Sequence, residues 1–167
     1  MAPSLPILPR PESPELRRNH APTDVPPTLT PHGHDKPRLL LADDDATLRD
    51  SLGEFFVREG FAVELAASGL EAVDLLQRQL FDISVLDGHM PGLTGPQVLR
   101  RLLAELGPTA IPPTLLVSSD RTIEAWVRDF TGAGAPLLTA VDFVSKPVRL
   151  DALRRSIRQL LRRQPPQ

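Results

Sequence analysis

The stretch Ser84-Val85-Leu86-Asp87-Gly88-His89-Met90-Pro91-Gly92 decides how the rest of the chain is read. The run from Ile83 to Leu86 is short and mostly apolar, it stops at an aspartate, and a Pro-Gly break follows. A short apolar run closed by turn residues is the pattern of a strand buried in a parallel sheet. In open parallel α/β sheets, ligands bind beyond the carboxyl ends of the strands, so Asp87 stands where that architecture does its chemistry. An Asp before Gly also starts turns, and this stretch alone leaves both roles open.

Working outward, the same pattern recurs. Arg38 to Ala42 is an apolar strand followed by Asp43-Asp44-Asp45, and Asp45 is a good N-cap for a helix carrying Leu48, Leu52, Phe55 and Phe56, stopped at Gly60. Phe61 to Ala66 reads as a second strand, and Leu70, Val73, Leu76 and Leu80 as the stripe of a helix from Gly69 to Gln79. Beyond Asp87, a helix runs from Gly95 to Leu106. A strand from Thr114 to Val117 ends at Ser118, and a helix is marked by Ile123, Val127 and Phe130. A fifth strand, Ala140 to Val144, ends at Ser145-Lys146-Pro147, and a last helix spans Leu150 to Arg163. Five strands alternating with five helices predict an α/β fold, a parallel sheet with helices on both faces.

Before Pro37 the composition changes. Nine prolines fall between Pro3 and Pro31, with no helical or strand period among the apolar residues. Because proline fixes φ and removes an amide donor, residues 1–36 are expected to form a Pro-rich disordered arm, and 164–167 a short tail. The arm's His20, His32 and His34 read as a solvated tail rather than a metal site.

The whole chain has 167 residues, a net charge of −2 and no cysteine. Disulfides, thiolate catalysis and Cys-ligated zinc are excluded, and no global charge favours nucleic acid or an acidic membrane. No apolar run reaches the roughly 20 residues of a membrane span, and no secretory signal is evident. A cytoplasmic location with no membrane attachment is expected.

The residues with chemistry fall at strand ends: Asp43 and Asp44, Asp87, Ser118 and Lys146. Clustered carboxylates repel one another unless a cation joins them. Oxygen ligands suit Mg²⁺, and carboxylates, a divalent metal, a lysine and a hydroxyl are the parts of phosphoryl transfer.

With those residues in order, the chain from Pro37 to Arg163 resembles a response-regulator receiver domain of two-component signalling. The resemblance rests on Leu39 to Asp45, Val85 to Gly95, Val117-Ser118-Ser119 and Asp142 to Pro147. It implies a flavodoxin-like fold with strand order 2-1-3-4-5 and a signalling switch rather than an enzyme. Asp87 would be the phosphoacceptor. Asp43, Asp44, Asp87 and the backbone carbonyl of His89 would hold Mg²⁺ or Mn²⁺. Ser118 and Lys146 would bind the phosphoryl group, Phe143 would be the switch aromatic, and the Lys146–Pro147 peptide would be cis. His89 and Asp120, two residues after Asp87 and Ser118, would tune the lifetime of the phosphorylated state. The implied partners are a sensor histidine kinase or phosphotransfer protein and a downstream protein target. A homodimer through the fourth helix, fifth strand and last helix is also possible within the family pattern. With no DNA-binding domain after the last helix, a stand-alone receiver is expected.

The sequence departs from the family between Ser118 and Lys146, where extra residues are expected at Gly132 to Thr139, and at Phe143, which lacks the commoner tyrosine's hydroxyl. Two rivals stay open. Asp43-Asp44-Asp45-Ala46-Thr47 also resembles the first motif of haloacid-dehalogenase-type phosphohydrolases, with Asp43 as nucleophile and Asp45 as acid/base. The other rival is a receiver-like binding module that is never phosphorylated.

Overall fold

A computed structural model describes residues 35–131 and 140–162. The expected arm up to residue 34, the extra residues at 132–139 and the tail lie outside the described residues.

The elements are β1 (Arg38–Ala42), α1 (Ala46–Arg58), β2 (Ala62–Ala66), α2 (Gly69–Arg78), β3 (Ile83–Asp87), α3 (Gly95–Leu106), a 3₁₀ turn (Pro108–Ala110), β4 (Thr114–Ser118), α4 (Arg121–Phe130), β5 (Val141–Ser145) and α5 (Leu150–Arg162). All strand pairs are parallel, in the order β2-β1-β3-β4-β5. The sheet order is therefore the one that the receiver-domain resemblance implied.

The period of two along each strand builds the two halves of the core. Leu39 and Leu41 of β1 join Ile83, Val85, Leu115 and Val117 on the side covered by α1 and α5. Leu40, Ala42, Leu86 and Leu116 point the other way, toward residues of α2, α3 and α4. Each fully buried leucine contributes about 2 kcal/mol of transfer free energy, which adds to the backbone hydrogen bonds that pair the strands.

Register places the site. Ala42 lies opposite Leu86, so Asp43 follows beside Asp87. Asp87 lies opposite Val117, and Ser118 opposite Ser145, so Ser118 and Lys146 reach the same edge.

Helix ends follow local chemistry. Asp45, Ser68 and Thr94 accept amide hydrogen bonds at the starts of α1, α2 and α3, and Thr94 with Gln97 forms a capping box. The α2 stripe differs from the expected one: Leu70 and Leu80 are exposed, and Ala72, Val73 and Leu76 face inward. The helix ends at Arg78 because Gln79 is extended and bonds Arg38 of β1 with its side chain, which carries Leu80 off the helical face.

Candidate functional site at the carboxyl edge of the sheet

Asp43 is buried at the end of β1, and each of its oxygens has a partner. Oδ1 accepts the Asp45 N–H at 2.9 Å, and Oδ2 accepts from Lys146 Nζ at 3.0 Å. The Arg49 guanidinium, one helical turn into α1, donates to the Asp43 carbonyl at 2.7 Å. Asp87, only 6% exposed, lies 3.2 Å from the same Lys146 Nζ. One ammonium thus bridges two buried carboxylates from different strands. Asp44 is exposed, and one oxygen from each of Asp43, Asp44 and Asp87 falls within 4.8 Å of the other two.

The electrostatics follow from this crowding. Burial pushes the Asp87 carboxyl above its ordinary range and the Asp43 charge adds to the effect, while Lys146 opposes it. Burial works against the Lys146 charge, but its bond to Asp43 and the charges of Asp87 and Asp43 outweigh that and hold its ammonium above the ordinary range. The site concentrates negative charge with a single lysine between its carboxylates. A hard divalent cation fits such an all-oxygen donor set.

The remaining predicted residues surround this cluster. Ser118 is almost wholly buried at the end of β4, and its Oγ accepts the Asp120 N–H at 3.1 Å. The Lys146 N–H donates to the Ser118 carbonyl at 3.0 Å, which ties the end of β5 to β4, and the Lys146–Pro147 peptide is cis. His89 Nε2 meets Asp120 Oδ2 at 3.1 Å across the mouth of the site. Bonds from Thr122 and the His89 contact hold the Asp120 carboxyl below its ordinary range. Phe143 is half-buried on β5, packed against the α2–α3–α4 side of the core.

The loop after Asp87 is set by backbone geometry. Gly92 has φ of 80°, a left-handed conformation that favours glycine. The Gly95 N–H donates to the Gly88 carbonyl at 3.2 Å, and a Cβ on Gly95 would come within 2.7 Å of the Asp87 carbonyl oxygen. The start of α3 therefore closes directly on the end of β3.

Asp45 is not part of the cluster. Its carboxylate caps α1 by accepting the Leu48 N–H at 3.1 Å, so an acid/base role in a hydrolase has no support in the geometry. Arg49 and Gly88 were not singled out from the sequence. Arg49 had a usable signal, since it lies four residues after the N-cap Asp45 on the turn that faces β1.

Comparison with known proteins points to one family. The family model for the response regulator receiver domain matches residues 39–158. The transcriptional regulatory protein TctD of Salmonella typhimurium strain LT2 is 36% identical over 126 residues, which cover 75% of this chain and 52% of TctD. The chain thus spans about half the length of that curated relative. The non-phosphorylated HemR receiver domain from Leptospira biflexa has 26% identity and a TM-score of 0.65, with 79% of this chain and 99% of that one covered. The response regulator TrrA from Thermotoga maritima, solved in complex with Mg²⁺ and BeF, has 22% identity and a TM-score of 0.62, over 74% of this chain and 98% of that one. The bridged carboxylates at the strand ends, the sheet order and the matched family model make this chain a member of the response-regulator receiver-domain family of two-component signalling.

Proposed function

We propose that the domain is a signalling switch that accepts a phosphoryl group on Asp87 from a phosphorylated histidine of a sensor kinase or phosphotransfer protein. The observation behind this reading is the Lys146 ammonium held between Asp43 and Asp87 at 3.0 and 3.2 Å. Such a lysine neutralises a carboxylate that must approach an anionic phosphoryl group, and it remains to pair with a phosphoryl oxygen afterwards.

In the transfer, an Asp87 carboxylate oxygen attacks phosphorus while the phosphorus–nitrogen bond of the donor breaks, and the electron pair leaves with the imidazole. Asp43, Asp44, Asp87 and the His89 backbone carbonyl would hold Mg²⁺ or Mn²⁺, which when bound would neutralise phosphoryl charge. The Ser118 hydroxyl donates to a phosphoryl oxygen. The half-buried Phe143 turns into the space that Ser118 leaves. The protein works in the cytoplasm, and no helix among the described residues is long and apolar enough to cross a membrane.

Output runs through the surface of α4, β5 and α5, to a downstream protein or to a second copy of the chain. A groove of about 370 Å³ lies there, beside Phe143, with Arg149, Arg155 and Ser156 on its rim. His89 and Asp120, joined across the site mouth, screen the phosphorylated Asp87 from water and set its lifetime. If exchanging His89 for alanine left the decay rate unchanged, that lifetime role would be lost.

The test is intact mass after incubation with acetyl phosphate and Mg²⁺. One phosphoryl adduct is expected in the wild type and none in Asp87→Asn. No adduct, together with no Mg²⁺-dependent beryllofluoride binding, would favour the unphosphorylated module. Steady phosphate release abolished by Asp43→Asn but not by Asp87→Asn would favour the hydrolase.

A further inference from the structure

Arg49 stands near the start of α1, half-buried, and its guanidinium donates to the Asp43 carbonyl at 2.7 Å. No step of the transfer uses this contact. It ties a cationic side chain to the backbone between two of the three clustered carboxylates.

The link from β1 to α1 is short, since Ala42 ends the strand and Ala46 starts the helix. The Asp43 N–H donates to the Ala66 carbonyl at 3.2 Å, the Asp45 N–H to Asp43 Oδ1 at 2.9 Å, and the Arg49 N–H to the Asp45 carbonyl at 2.8 Å. Asp44 lies between these anchored residues. It is exposed, and among the described residues no hydrogen bond or ion pair holds its carboxylate. The peptide group from Asp43 to Asp44 is planar, so its carbonyl oxygen and the Asp44 Cα move as one rigid unit. Holding that oxygen holds the Asp44 Cα, and the Arg49 guanidinium is the side-chain donor on it.

We infer that Arg49 is a positioning residue for the divalent cation: through the Asp43 carbonyl it sets where the Asp44 carboxylate stands beside Asp43 and Asp87. The inference rests on the reading of those three carboxylates as metal ligands. Asp43 and Asp87 are placed by the sheet register and by their shared lysine. Asp44 is the ligand carried by the link, so its place depends on what holds the link. A ligand already in place loses less freedom when the cation binds. Arginine suits the task because its guanidinium stays charged and offers a rigid, planar set of donors. Its charge works the other way, because a cation beside the cluster repels a divalent ion, and removing that charge alone would tighten binding. Positioning and charge thus have opposite signs, and metal affinity tells them apart.

The experiment measures Mn²⁺ binding to the full chain from the loss of the free ion's electron paramagnetic resonance signal, with Mg²⁺ as competitor, in the wild type, Arg49→Met and Arg49→Lys. Urea unfolding without metal runs alongside, because a merely structural role would lower stability and leave the affinity of the folded chain unchanged. Arg49→Met is expected to weaken the binding of both ions roughly tenfold, the low end for a partner that orients a metal ligand. Arg49→Lys keeps the charge and a donor, and is expected to recover most of that loss. Arg49→Gln replaces Arg49→Met if the latter does not fold. Unchanged or tighter binding in the neutral variant, or binding in Arg49→Lys as weak as in the neutral variant, would each overturn the inference. A wild type that takes up no Mn²⁺ would instead overturn the metal reading of the cluster, and the inference with it.

Discussion

Two buried aspartates stand near opposite ends of one strand, and their surroundings differ. Asp82, immediately before β3, is fully buried and faces the amino edge of the sheet. Its Oδ2 accepts the Arg38 N–H at 2.7 Å, and its own N–H donates to the Arg38 carbonyl at 2.9 Å. Arg38 is fixed in turn by Glu64 at 3.2 Å, by Gln79 and by the face of Phe81 at 5.0 Å. Asp87, at the carboxyl end, has Asp43 and Asp44 as neighbours and shares one lysine with Asp43. Burial of a carboxylate is thus no mark of function in itself. Asp82 is met by a fixed backbone donor and closes the start of β3 onto β1. Asp87 is crowded by like charge, and its main partner sits on a flexible side chain, so exchanging that partner for a cation or a phosphoryl group costs less.

The largest expected effect tests that contrast directly. Asp82→Ala leaves the partly buried Arg38 N–H without its Asp82 acceptor, and stability is expected to fall by about 2 kcal/mol. The folded fraction should still take up a phosphoryl group from acetyl phosphate. Asp87→Asn should do the reverse: no phosphoryl adduct, with stability unchanged or slightly raised because one of the clustered charges is gone. Urea unfolding in metal-free buffer, paired with intact mass, measures both. Equal destabilisation by the two substitutions would break the distinction between a structural and a functional carboxylate.

Lys146 sharpens it. Lys146→Met leaves Asp43 and Asp87 buried without their shared counter-charge. A loss of about 2 kcal/mol is expected in metal-free buffer, on the scale of removing one partner from a partly buried ion pair. Mg²⁺ should restore part of this, because a ligand that binds only the folded state stabilises it by mass action. The rise in Tm on adding Mg²⁺ should therefore be larger in the variant than in the wild type. An equal rise would mean that Lys146 and the metal do not answer the same charge.

Why one aspartate could be read from the sequence and the other could not has a physical basis. Strand ends are legible because the apolar run stops there. Asp43, Asp87, Ser118 and Lys146 share an edge once the strands are taken as parallel and in register, and the structure brings them together in that way. Asp82 precedes an apolar run, and its bond to Arg38 joins residues 44 apart in sequence, which no local pattern reveals. Leu80 fails for a related reason. Its helical spacing continues past Arg78, but a tertiary bond from the Arg38 guanidinium to the Gln79 side-chain oxygen ends the helix first. A Cβ at Gly88 would lie 2.5 Å from Ile123 Cδ1 of another helix, so the glycine reads as a turn residue until α4 is in place.

The smallest effect belongs to a third carboxylate, which falls between these two cases. Glu59, just after α1, accepts two bonds from the Arg154 guanidinium of α5, at 2.9 and 2.7 Å, and that guanidinium lies 5.4 Å from the centre of the Phe55 ring. Here the partner is a side chain, as at Asp87, but it is a planar fork that meets both carboxylate oxygens. The Arg154 bonds outweigh the partial burial and hold the Glu59 carboxyl below its ordinary value of 4.5. A carboxyl that titrates lower in the folded chain than in the unfolded one adds stability above the unfolded value, and loses it as pH falls through the folded one. Glu59→Gln is therefore expected to cost about 1 kcal/mol at neutral pH, the upper range for an accessible ion pair, and nothing once the Glu59 carboxyl of the wild type is protonated in both the folded and the unfolded chain. Urea unfolding of wild type and variant across that range reads the gap as it closes. The exposed Glu54–Arg58 pair, at 2.9 Å with both side chains more than 70% exposed, gives the comparison: Glu54→Gln should shift stability by no more than about 0.5 kcal/mol at any pH. A gap at Glu59 that stayed constant down to low pH would show that packing against Arg154, rather than the ion pair, joins α1 to α5.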